Sequence, residues 1–139
     1  MPIVLTEEMM SAVNEALNER LPCLVATASA AGVPDVSYRG SVLAFDDEHL
    51  AFWERVKGET LDNLRANPNV CVFYRNPKTR QNWRFYGHAE VLEDGERRDE
   101  IMARVHPFEL GQDPERKGFA VLIRVDRVRE GAATIMSRD

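Results

Sequence analysis

Residues 23–53 read CLVATASAAGVPDVSYRGSVLAFDDEHLAFW. Short runs rich in apolar and β-prone residues alternate with turn chemistry, which predicts strands at Cys23–Ser29, Asp35–Arg39, Ser41–Phe45 and His49–Trp53. Gly32 and Pro34 punctuate the first turn, and Asp46-Asp47-Glu48 makes the last one polar. Gly40 interrupts the pattern between two strands; a glycine in such a place marks a bulge or the close approach of another group. Short β runs with turns between them predict an antiparallel barrel or sandwich, not a parallel βαβ sheet.

The pattern differs on either side. Upstream, Met9, Met10, Val13, Ala16, Leu17 and Leu21 recur at helical spacing, and Thr6 precedes two acids. That predicts a capped helix from about Glu7 to Arg20, with Glu7 and Glu8 at its positive end. Downstream, Leu61 and Leu64 share a helical face, and Asn67-Pro68 ends the helix because a residue before proline avoids the helical region. Val70–Tyr74 and Asn82–Leu92 read as strands around the polar turn Asn76–Arg80, and Gly87 falls inside the longer one. A charged helix runs from Asp94-Gly95 to about Val105, and Phe119–Val128 is the last clear strand. Arg129–Asp139 carries no firm signal. The whole is a single domain, residues 1–139, mainly β with flanking helices.

Composition narrows the class. Hydrophobic residues make up 44% of the 139, enough for one core, and no apolar run approaches the roughly 20 residues of a membrane span. The start MPIVLTEEMM lacks the features of a secretory signal, so a cytoplasmic protein is expected, with no membrane partner. A net charge of -5 argues against general nucleic-acid binding. Cys23 and Cys71 each sit in a strand-like run and read as buried thiols. His49, His88 and His106 are scattered over different elements, and no spacing suggests a metal site.

Three segments carry possible binding chemistry. Ser37-Tyr38-Arg39-Gly40-Ser41 offers a cation, hydroxyls and a glycine that lets a flat ligand approach the main chain; a β-bulge with a surface arginine is the simpler account of the residues alone. Glu54-Arg55-Val56-Lys57-Gly58-Glu59-Thr60 leads into a helix N-terminus, which attracts anions, though a routine turn and cap would look the same. It is not a P-loop, whose spacing is absent. In Arg80–Gly87, Asn82 and Arg84 alternate with Trp83 and Phe85 and so share one strand face, whose amide and guanidinium, with aromatics nearby, are candidates to bind a cofactor's ring system; an ordinary amphipathic strand would look the same.

Taken in order, LPCLVATASAAGVPDVSYRGSVLAF, LAFWERVKGETLDNLRANPNVCVFYRNP and NWRFYGHAEVL resemble the FMN-binding split barrels related to pyridoxamine 5′-phosphate oxidase. The resemblance implies a Greek-key antiparallel split β-barrel, a homodimer, and FMN held between the two copies. It places Arg39, Gly40, Ser41 and Val42 along the flavin and its ribityl phosphate, and Trp53 and Glu54 at the end of the next strand. Thr60 stands where the family often has a phosphate-binding lysine; Lys57, three residues earlier, is the replacement cation, and Arg39 becomes the principal phosphate ligand. Asn82 stands at the position of a flavin-contacting glutamine. The arginine-rich, tryptophan-bearing C-terminal segment of true pyridoxamine phosphate oxidases is absent from RVREGAATIMSRD. The expected function is therefore a flavoprotein oxidoreductase acting on another small molecule, with no catalytic side chain assigned. The alternatives are a non-enzymatic flavin sensor, a deazaflavin F420 enzyme and a haem-binding protein.

Overall fold

The computed structural model describes residues 2–138. An N-terminal helix, α1 (Glu7–Glu15), leads into four strands: β1 (Cys23–Ala28), β2 (Pro34–Arg39), β3 (Leu43–Ala44) and β4 (His49–Glu54). Helix α2 (Glu59–Ala66) precedes the long hairpin β5 (Asn69–Asn76) and β6 (Gln81–Leu92). Helices α3 (Glu96–Arg104) and α4 (Pro107–Gly111) lead to a second hairpin, β7 (Phe119–Glu130) and β8 (Ala133–Ser137). One curled antiparallel sheet runs in the order β2-β1-β5-β6-β7-β4-β3, with β8 added on β7. This is the split half-barrel that the sequence led us to expect.

Local chemistry accounts for the element ends. The Thr6 hydroxyl accepts from the Met9 N–H at 3.1 Å, as a cap should. Regular helix stops at Glu15, short of the expected Arg20, and a looser turn completes it. Arg20 takes a left-handed φ of 62°, and the Leu21 N–H reaches back to the Ala16 carbonyl at 2.8 Å. Those are the marks of a Schellman-type stop.

Strand alternation sorts side chains into two layers. Cys23 and Val25 of β1, Val70 and Val72 of β5, and Trp83 and Phe85 of β6 face inward. They meet Leu50, Phe52, Ile123 and Val125, and the α1 residues Met9 and Val13 close that core. Strands β4 and β7 are buried on both sides, because α3 packs Ile101 against Ala51, Trp53, Ala120 and Leu122. That is why HLAFW and FAVLIRV read as continuous apolar runs without alternation.

Two expectations need extension. The tail forms β8, and Arg138 fastens it through an ion pair with Glu48 at 3.1 Å and a hydrogen bond to the Val125 carbonyl at 2.8 Å. The segment after α3 contains α4, whose Pro107 occupies the first turn under a His106 cap. The two cysteines are free; burial pushes the Cys23 thiol up to about 12 and raises that of half-buried Cys71.

Gly87 sits at a β-bulge between β6 and β7, where a Cβ would lie 2.1 Å from the Arg124 carbonyl oxygen. That oxygen belongs to the main chain and has no rotamer by which to withdraw. Gly87→Ala is therefore expected to destabilise the fold by about 3 kcal/mol or more, measured by urea denaturation. An unchanged midpoint would contradict this account of the bulge.

Candidate functional site

The chain leaves β2 after Arg39 and does not enter β3 until Leu43. Across that gap the Ser41 side chain replaces the ladder. Its hydroxyl donates to the Trp53 carbonyl at 3.1 Å and accepts from the Trp53 N–H at 3.0 Å. The Gly40–Val42 segment thus stays attached to β4 and lines a cleft of ≈ 470 Å³ with Asn14, Asn18, Arg104 and His106. Ligand pockets commonly start at about 300 Å³, so this cleft is of useful size.

A smaller cavity of ≈ 200 Å³ adjoins the same junction, lined by Tyr38, Arg39, Trp53, Glu54, Arg55 and Glu109. At its base Arg39 donates to the Glu54 carboxylate at 3.0 Å and to the Thr60 hydroxyl at 2.9 Å. Its other terminal nitrogen donates to the Ser37 hydroxyl at 2.7 Å and the Tyr38 carbonyl at 2.9 Å. The Glu54 side chain is only 2% exposed, so this is a buried ion pair joining the ends of β2, β4 and α2. Glu109 of α4 covers Gly40: a Cβ there would lie 3.0 Å from its carboxyl. The glycine does mark a close approach, and the approaching group in this structure is Glu109.

Trp53 is held from the opposite side by a residue the sequence reading missed. Buried Asp113 accepts from Trp53 Nε1 at 2.9 Å, from the Gly118 N–H at 2.7 Å and from the Lys117 N–H at 3.0 Å. Burial alone would raise its pKa; the Trp53, Gly118 and Lys117 donors and the Arg116 charge outweigh that and lower it. Arg98 lies 4.8 Å over the Trp53 ring and donates to the Gly118 carbonyl at 2.9 Å. No local signal in QDPERKG distinguishes Asp113 from an ordinary loop acid.

Of the expected site residues, Arg39, Gly40, Ser41, Val42, Trp53, Glu54 and Thr60 come together at this junction. Lys57 stands apart from the pair, 4.2 Å over the Phe119 ring. Asn82 and Arg84 lie on β6, with β1 and β5 between it and β2. Arg84 contacts Asn82 at 3.3 Å and lies 4.3 Å over the Phe73 ring; Asn82 lines a cavity with Arg75 and Arg80, distinct from the one that Arg39 lines. They occupy the outer face of the sheet, where the register lines up Tyr38, Leu24, Phe73 and Arg84. On that face Val36 is 60% and Tyr38 68% exposed. Tyr38 also lines the outer cavity beside Leu24 and Phe73, so the apolar face and the Arg39 cavity meet at this side chain.

The three histidines have separate partners: His49 with Asp46, His88 with Asp126, and His106 with Asn18. Among the described residues no group of three His, Cys, Asp or Glu side chains is placed to hold a metal ion. No helix among them is long and apolar enough to cross a membrane.

The family model for pyridoxamine 5′-phosphate oxidase matches residues 9–130, a span that includes every element of this junction. The chain belongs to the pyridoxamine 5′-phosphate oxidase family. Solved structures share the family fold. A Lactobacillus delbrueckii protein provisionally assigned as a pyridoxamine 5′-phosphate oxidase is 26% identical, with a TM-score of 0.72 over 91% of this chain and 93% of that one. HupZ of Group A Streptococcus is 21% identical, with a TM-score of 0.76 over 97% and 99% of the two chains. An FMN-binding protein of Syntrophomonas wolfei is 12% identical, with a TM-score of 0.67 over 95% and 89%. No curated protein matches the chain significantly.

Within this family frame, Asp113 is a positioning residue for Trp53, and the sign of its effect follows from its lowered pKa. Its contribution is present above the unfolded value of about 3.9 and is lost as pH falls through the lower native value. Asp113→Asn is expected to lower stability at neutral pH by about 2 kcal/mol and to flatten the acid limb of the stability profile. Urea midpoints measured across pH check both outcomes.

Proposed function

We propose that the chain is a flavin-binding protein that works as a homodimer, holds FMN at the seam, and acts as an oxidoreductase on a small molecule. The adjacency of the Arg39–Glu54 junction to an exposed apolar sheet face carries this reading, because Tyr38 borders both. A second copy laid on that face would bring its own Asn82 and Arg84 toward the junction. That accounts for residues expected at one site lying apart in a single chain.

The residues suit the ring system better than its phosphate. Ser41 keeps the Gly40–Val42 main chain free of the ladder and along the cleft, so a planar ring would lie against that segment, beside the Glu109 carboxyl that covers Gly40. The natural phosphate ligand, Arg39, is already paired. When bound, the flavin would supply the redox chemistry, and the protein's part would be orientation and exclusion of water. Trp53, braced by Asp113 and Arg98, gives the adjoining Arg39 cavity a rigid wall. Relatives support the cofactor class: one solved neighbour is an FMN-binding protein and another an F420 reductase.

The purified protein, or the protein titrated with FMN, is expected to show flavin absorption bands, with bleaching by a reduced nicotinamide or another donor. A Soret band in place of flavin bands, or no uptake of flavin, would contradict the reading. Light scattering should return twice the 15.8 kDa chain mass. Tyr38→Asp, which puts a charge on the apolar face, is expected to weaken the dimer by about 2 kcal/mol and flavin binding with it. A monomer that still binds flavin with full affinity would disprove the shared seam.

A further inference from the structure

We infer that Glu54 sets the cleft's response to a terminal phosphate and makes it nearly indifferent between a phosphorylated flavin and the same flavin without its phosphate; this rests on the flavin reading above. A guanidinium has five N–H donors. The two terminal nitrogens of Arg39 carry four of them, and all point to groups of the chain itself: Ser37, Tyr38, Glu54 and Thr60. Only the Nε–H is left, buried and without a partner. Arginine grips a phosphate through two parallel donors of its fork. Here any such pair must first be released from a protein acceptor.

Releasing Glu54 is the unfavourable step. Its side chain is 2% exposed, so a phosphate that captured Arg39 would leave a buried carboxylate without its cation and beside a second anion. Within the Arg39 cavity of a single chain the other cation is Arg55. Glu109 lines it too, so the two arginines and two carboxylates of the cavity sum to no net charge. Glu59 and Asp62 occupy the first turn of α2, where an anion would otherwise meet the positive helix end. Lys57 is turned onto Phe119. A phosphate therefore finds a neutral, self-satisfied base, and the ring and ribityl chain must account for the affinity.

The test is to titrate FMN and riboflavin separately into the full-length protein and follow the quenching of flavin fluorescence. The wild-type dissociation constants are expected to agree within about fivefold, and Glu54→Gln, which frees Arg39, should tighten FMN by about tenfold or more while moving riboflavin by less than about threefold. A wild-type preference for FMN beyond about tenfold, or a Glu54→Gln variant that changes both flavins alike, overturns the role of Glu54 while the flavin reading stands. If neither flavin binds the wild-type protein, the flavin reading fails first and this inference falls with it. The wild-type ratio requires no variant, so a Glu54→Gln chain that misfolds still leaves the role of Glu54 refutable.

Discussion

The Arg39–Glu54 ion pair closes the barrel. In the sheet order β2 stands at one end, and β4 with β3 at the other, and no ladder joins the two ends. Arg39 at the end of β2 and Glu54 at the end of β4 meet at 3.0 Å, with Thr60 of α2 as a third member. Beside them the Ser41 hydroxyl holds both main-chain groups of Trp53. The sheet is thus fastened by side chains at the place where its backbone hydrogen bonding is split. That split is what leaves the Gly40–Val42 main chain beside a cleft.

A fastening of this kind differs from apolar packing. Burying an ion pair costs desolvation that its attraction only roughly offsets, so the pair contributes direction more than net stability. Breaking it from one side leaves an uncompensated charge, which makes the geometry stiff. The same logic applies to Trp53, whose indole is fixed by buried Asp113 below and faced by the Arg98 guanidinium above. Gly118 lets these groups meet: a Cβ there would lie 2.6 Å from Trp53 Nε1 and 2.9 Å from an Asp113 oxygen. The walls of the Arg39 cavity are therefore side chains held in place by polar partners, and the apolar core behind them carries the stability.

Much of this was readable in the sequence because period and punctuation are local properties. The strands around Gly40 and Gly87, the cap at Thr6 and the stop at Asn67-Pro68 all follow from residues a few places apart. Arg39–Val42, Trp53, Glu54 and Thr60, which the structure brings to one junction, were grouped in advance only through the family resemblance, since each segment alone had a plain structural explanation. What escaped were relations that only the fold creates. Nothing in the sequence pairs Arg39 with Glu54, since a charge in one strand selects its partner through curvature of the sheet. Asp113 contributes through a loop with no periodicity, and β8 is a strand of five residues, none of them buried, too short and too weakly alternating to stand out in the tail. Asn82 and Arg84 share a face as expected, but the barrel turns that face outward, away from Arg39.

The closure of the barrel by Arg39 and Glu54 is tested most directly by a double-mutant cycle. Stabilities of the wild type, Arg39→Met, Glu54→Gln and the double variant would be measured by urea denaturation. The account predicts that each single change is costly and that the pair couples by about 2 kcal/mol, the double variant being more stable than the sum of its parts requires. Additive effects within about 0.5 kcal/mol would show that the two residues do not act as one fastening, and the account of the split would be contradicted.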